Sequence, residues 1–168
     1  MKRFVFALLA IAVLALGFGS ALAAPPSKDP VGFVLTAASC PNLPTGTVIT
    51  GTGTSTTVEI VTTDASGVTT VTNTTHASGT ATDQDGNTYR FNYSNHFRIS
   101  NTGPTDPVLS GVMVDSFSLA GNGPALLNNG FRAVFTIDSL TGAATFAELS
   151  SRGDPIDFAT GESLCDPL

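Results

Sequence analysis

The sequence predicts an all-β domain built as an antiparallel meander, and three observations carry that prediction. Residues 83–100 read DQDGNTYRFNYSNHFRIS. After an Asp-Gly turn signal, Tyr89, Phe91, Tyr93, Phe97 and Ile99 alternate with Thr88, Arg90, Asn92, Ser94, His96, Arg98 and Ser100. A period of two puts the apolar groups on one face of a strand, which no helix can do. Second, residues 45–82 are rich in Thr, Ser, Gly and Val, and β-branched side chains favour pleated sheet. Third, clusters of Asp, Asn, Gly and Pro recur at hairpin spacing, and no segment reads as a long amphipathic helix. The pattern gives about eight or nine strands. Because every connection is local, a barrel-like closure is expected, with a two-sheet sandwich as the alternative.

The N-terminus comes first. Lys2 and Arg3 precede an almost unbroken apolar run at 4–16, and Ala21-Leu22-Ala23 has the small-x-small pattern that a signal peptidase reads. Cleavage after Ala23 is expected, giving a signal peptide over 1–23, a disordered Pro-rich leader over 24–30 and a single domain over 31–168. An uncleaved membrane anchor is the competing reading, since the run approaches spanning length; Pro25-Pro26 just beyond the Ala-x-Ala favours cleavage. Localisation follows: secreted, in the extracellular space, periplasm or cell envelope.

Within the domain, strands are expected at 31–38, 47–54, 57–63, 68–75, 78–83, 88–100, 108–119, 131–138 and 144–150. One helical turn fits 125–129. The rows at 47–83 are thin in apolar residues, which points to weak packing on one face or a place at the sheet edge; a flexible stalk is the alternative. Asn95 interrupts the apolar row between Tyr93 and Phe97. A bulge there would turn His96 toward the core.

Charge narrows the partners. The chain has 7 Lys or Arg against 13 Asp or Glu. Loss of Lys2 and Arg3 with the leader leaves 5 against 13, a net of −8. This disfavours nucleic acid and, after cleavage, anionic membrane surfaces, both of which need basic patches. Only Cys40 and Cys165 are present. In an oxidising compartment they read as one structural disulfide, closing a loop of about 125 residues with a chain-entropy stabilisation of ~5 kcal/mol at most.

Two constellations are candidates for chemistry. Asp83, Asp85 and Asn87 place oxygens on alternate residues, as calcium loops do. Gly at the sixth position and Glu at the twelfth are replaced by Thr88 and Ser94, so the loop reads first as a hairpin turn and only weakly as a metal site. Arg90, Asn92, His96 and Arg98 share the polar face of the 88–100 strand. Three of the seven basic or His side chains left after cleavage lie there, which points to a small anionic ligand held by Arg forks and a titratable His. A solvated face is the plain alternative.

No Gly-x-Ser-x-Gly, Ser-x-x-Lys or His-Glu-x-x-His is present, no cofactor is implied, and Glu59, Glu148 and Glu162 stand in no glycosidase-like context. Arg152-Gly153-Asp154 matches an integrin-type tripeptide by chance, and the sequons at Asn73 and Asn92 are not expected to be used. The lack of Trp disfavours sugar binding on aromatic platforms. The sequence therefore reads as an exported, non-enzymatic ligand-binding or cell-envelope module. A structural or protein-interaction domain ranks second, and an enzyme using His96 with Arg90 or Arg98 third.

Overall fold

The structure, a computed structural model, describes residues 21–103, 105–153, 156–157 and 162–163. Most of the expected signal peptide, Pro104 and Cys165 lie outside the described residues. The strands are β1 (Ala21–Ala23), β2 (Ser27–Thr36), β3 (Val48–Thr63), β4 (Thr69–Asp83), β5 (Thr88–Asn101), β6 (Val108–Gly121), β7 (Leu127–Asp138), β8 (Ala144–Arg152), β9 (Ile156–Asp157) and β10 (Glu162–Ser163). The first eight make one antiparallel sheet in chain order, with β1 and β2 end to end along the same edge of β3. β9 and β10 pair only with each other.

The all-β meander stands; barrel closure and the two-sheet alternative do not. The sheet is open, with β2 and β8 at its edges among the described strands. Local connections dictate the neighbour order but say nothing about a long-range ladder between first and last strands, which closure requires. The inner face is covered instead by the 37–47 loop, which buries Cys40 and Leu43, and by Ala125. The helical turn expected at 125–129 is absent, because β7 already begins at Leu127.

β2 starts at Ser27, earlier than the expected first strand, and pairs Ser27–Pro30 with Thr57–Thr54. Part of the expected leader is thus ordered strand. The breaks expected near 55–56 and 76–77 do not exist: β3 runs 16 residues and β4 15, and both are interior strands. Their thin apolar rows have a packing cause. Their inward residues are small (Gly51, Gly53, Ser55, Ala77, Gly79, Ala81) because large rings from other strands fill the space above them. A Cβ on Gly51 would lie 2.2 Å from the Phe33 ring, and one on Gly53 or Gly79 within 2.8 Å of the Phe91 ring. In a flat sheet β2 and β5 lie three spacings apart, about 14 Å. Leaning across the glycines, Phe33 and Phe91 bring their ring centroids to 5.0 Å, edge to face at 82°. Phe117 on β6 joins at 5.8 Å from Phe33. Such pairs contribute about 0.5–1.5 kcal/mol each beyond area burial.

The turns register the ladders. Asp64 Oδ1 accepts from the Ser66 and Val68 backbone N–H groups and the Ser66 hydroxyl, which closes the β3–β4 hairpin. Asp83 does the same for β4–β5, with Gly86 at φ +83° completing the turn. Along β5–β6 the register is continuous from Tyr89↔Gly121 to Asn101↔Leu109, so Asn95 is no bulge. It keeps its place in the inner row opposite Asp115, and His96 stays on the outer face. Asp115 is buried, accepting from Tyr93 OH at 2.7 Å and Asn95 Nδ2 at 2.8 Å. This polar station divides the inner face into two apolar clusters, one around Phe33, Phe91 and Phe117, the other around Ile99, Ala133 and Phe135.

Candidate functional site

The outer face carries the even-numbered residues of β2 through β6; near its middle these are hydroxyl, amide or basic, while exposed apolar residues such as Val34, Val48, Ile60, Val108 and Val114 stand away from it. Across its middle lies an open trough of about 520 Å³. Its floor follows from register. Lys28 pairs with Thr56, Thr56 with His76, His76 with Ser94, Ser94 with Ser116, Ser116 with Gly130 and Gly130 with Arg152. One row of side chains therefore runs straight across the sheet from β2 to β8. The adjacent row contributes Thr54, Ser78, Asn92, Ser118 and Asn128. Both end residues, Lys28 and Arg152, line the trough. Gly130 has no side chain to lift Arg152 off the floor: a Cβ there would stand 3.4 Å from Arg152 Nε.

The electrostatics of this row are one-sided. Lys28, His76 and Arg152 line the trough, and no Asp or Glu among the described residues does. None of the three hydrogen-bonds or pairs with another side chain among the described residues. In a chain of net charge −6 such a cavity is the exception, because cations on a solvated acidic surface ordinarily find carboxylates. Hydroxyls and amides around them can donate and accept, so the lining suits a ligand with charged oxygens and further polar groups.

The residues singled out from sequence are distributed differently. Asn92 lines the trough. Arg90 and Arg98 share its face but stand eight residues apart on β5, about 27 Å at strand rise, so no small ligand can touch both. Arg90 pairs across with Thr80, and Arg98 with Thr72, at opposite ends of the sheet. His96 shares a 3.1 Å hydrogen bond between Nδ1 and Thr74 Oγ1 and lies outside the trough lining.

Asp83, Asp85 and Asn87 form a turn. Asp83 Oδ1 accepts the backbone N–H groups of Asp85 and Asn87 at 2.9 Å each, and Oδ2 accepts Asn87 Nδ2 at 2.9 Å and Tyr89 OH at 2.8 Å. The Asn87 side chain foremost, helped by Tyr89 and the two N–H groups, holds the Asp83 carboxyl below its ordinary range against the opposing effect of burial. Burial, then the Asp83 hydrogen bond, pushes the Tyr89 phenol up. With four donors on one carboxylate, the oxygens serve the hairpin. Among the described residues, no three His, Cys, Asp or Glu side chains come together as a metal would need.

Sequence reading passed over Lys28, His76 and Arg152. Lys28 fell in the expected leader, and Arg152 in a tripeptide dismissed as chance. The register that sets His76 opposite Thr56 comes from a five-residue connection over 64–68, one residue longer than the turn read from the sequence, which would have put Thr75 there. Cys40 is fully buried in the loop that covers the core. No helix among the described residues is long and apolar enough to cross a membrane. No known family model matches the chain, and no curated protein or solved structure is detectably similar to it.

Proposed function

We propose that the chain is an exported, non-enzymatic binding module that takes an anionic ligand in the outer trough. The observation that carries this reading is the set of three basic side chains, Lys28, His76 and Arg152, unpaired among the described residues and set around a cavity that no carboxylate of those residues lines, in an otherwise acidic chain. Arg152 offers a planar fork for carboxylate, sulfate or phosphate, and Lys28 a mobile point charge. Export, signal cleavage and a Cys40–Cys165 disulfide belong to the same proposal. The complete burial of Cys40 against the core suits a cross-link there.

The test is a thermal-shift titration of the purified protein with phosphate, sulfate and di- and tricarboxylates at low salt. An anion is expected to raise the unfolding midpoint, less so at 0.15 M salt, where the Debye length falls to about 8 Å. The Lys28→Gln/Arg152→Gln pair is expected to lose the response while keeping the ligand-free midpoint, because both residues are exposed. An unchanged response in that variant, or no response to any anion, sinks the proposal.

A further inference from the structure

The basic side chains in the trough are spread along a line, so that a small anion meets one of them at a time and a longer ligand can meet all three. Lys28 and His76 lie two strand spacings apart, roughly 10 Å, and His76 and Arg152 four spacings apart, roughly 19 Å, all in one cross-strand row. We infer that the occupant is a linear acidic oligosaccharide laid across the strands, with anionic groups recurring at about two strand spacings and uncharged hydroxyl-bearing units between them. This rests on the anion-binding reading above and deepens it.

Three features favour this occupant. The row extends over the full width of the sheet, and the trough is open, so a chain longer than the cavity can enter and leave along it. Between the basic stations stand Thr56, Ser94 and Ser116, with Asn92 and Asn128 beside them, short donors and acceptors suited to sugar hydroxyls. The chain has no Trp, and the two aromatic residues in the lining, Tyr93 and the buried Phe117, belong to the inner row, which favours charge and hydrogen bonding over stacking. An oligosaccharide with one uronate per disaccharide offers both at this repeat. Inorganic polyphosphate is linear and anionic too, but its charges are contiguous and would face every uncharged rank of the row, whereas a charge at every second rank meets only Ser116 without a basic partner.

Calorimetric titration of the purified protein with uronate monomer, with alternating uronate–N-acetylhexosamine oligomers of rising length, and with polyphosphate of matched length separates the outcomes. Affinity is expected to rise with oligomer length until the Lys28–Arg152 row is spanned, then level off. Lys28→Gln and Arg152→Gln are each expected to weaken the spanning oligomer about two- to fivefold, as for exposed ion pairs, without changing the folded spectrum. If monomer and oligomer bind equally well, the linear occupant is wrong while the anion site stands. If polyphosphate binds as tightly as the oligosaccharide, the sugar assignment is wrong. If neither monomer, oligomer nor polyphosphate binds, the anion-site reading itself fails.

Discussion

Gly51→Ala tests the packing argument that underlies the whole sheet. The backbone at Gly51 does not take positive φ, so alanine can adopt it, and on propensity alone the exchange stabilises by about 0.5–1 kcal/mol. Packing reverses the sign. The new Cβ would meet three atoms of the Phe33 ring, at 2.2, 2.4 and 2.8 Å, and nothing else comes as near. Displacing a ring that is itself buried and packed edge to face on Phe91 and Phe117 is overpacking, which costs about 1–3 kcal/mol. The net expectation is a loss of about 1–2 kcal/mol, read as a lower urea midpoint with unchanged m. Phe33→Leu removes the clashing ring edge, so in that background Gly51→Ala should become neutral or stabilising, with a coupling of about 1 kcal/mol or more in the double-mutant cycle. Gly53→Ala is the control. Its Cβ would lie 2.2 Å from the Ser78 carbonyl oxygen, which is backbone, so shortening Phe91 should not rescue it. Additive behaviour of Gly51→Ala and Phe33→Leu would refute the claim that β3 is thin in apolar residues because a ring from β2 lies over it.

Other expectations follow from the polar contacts. The Asp83 carboxyl is held below its ordinary range by Asn87 foremost, so its contribution is present above the unfolded value and lost as pH falls below about 4; Asp83→Asn should flatten the acid limb of a midpoint-against-pH curve. Tyr89 runs the other way: its phenol is raised, so stability is full below about pH 10 and falls as pH rises beyond it, an alkaline limb that Tyr89→Phe should remove. Asp115→Ala leaves Tyr93 OH and the Asn95 amide without their shared acceptor and should cost about 2 kcal/mol in urea unfolding, with Asp115→Asn costing less. Mass spectrometry with and without reductant should show the gain of two hydrogens on opening a Cys40–Cys165 bond, and Cys40→Ala should destabilise by about 2–5 kcal/mol; two free thiols in the native protein would end that pairing.

What was legible in the sequence was whatever depends on parity. The alternation in 88–100 gives β5 its inner row and its outer face, and the Asp-Gly turn before it sets the register with β4. At Asn95 the sequence left a bulge open, and the observed register closes the question: Asn95 is a polar residue of the inner row facing the buried Asp115. Illegible was whatever depends on a partner several strands away. Ser55, Ala77 and Gly79 read as weak strand or as breaks, because a small residue under another strand's ring carries the same letter as a small residue in a turn. Closure was illegible for the same reason, since a meander's turns are identical whether or not its edges meet.

The trough shows why its residues escaped notice while β5 drew attention. Arg90, Asn92, His96 and Arg98 are concentrated in sequence, but along a strand successive outward residues step about 7 Å apart, so a run of them is dispersed lengthwise. Across strands the step is about 4.8 Å, and side chains from seven consecutive ranks can stand in one line. Lys28, His76 and Arg152 come from strands separated by most of the chain and still fall in a single row, because the ladders from β2 to β7 hold their register and the shift between Val134 and Phe135 in the β7–β8 pair brings Arg152, in place of Ser151, opposite Gly130. In an open meander the convergent direction is perpendicular to the chain. A search for sites in such a fold should therefore follow the ladder, summing charge along each cross-strand row, and not the strand.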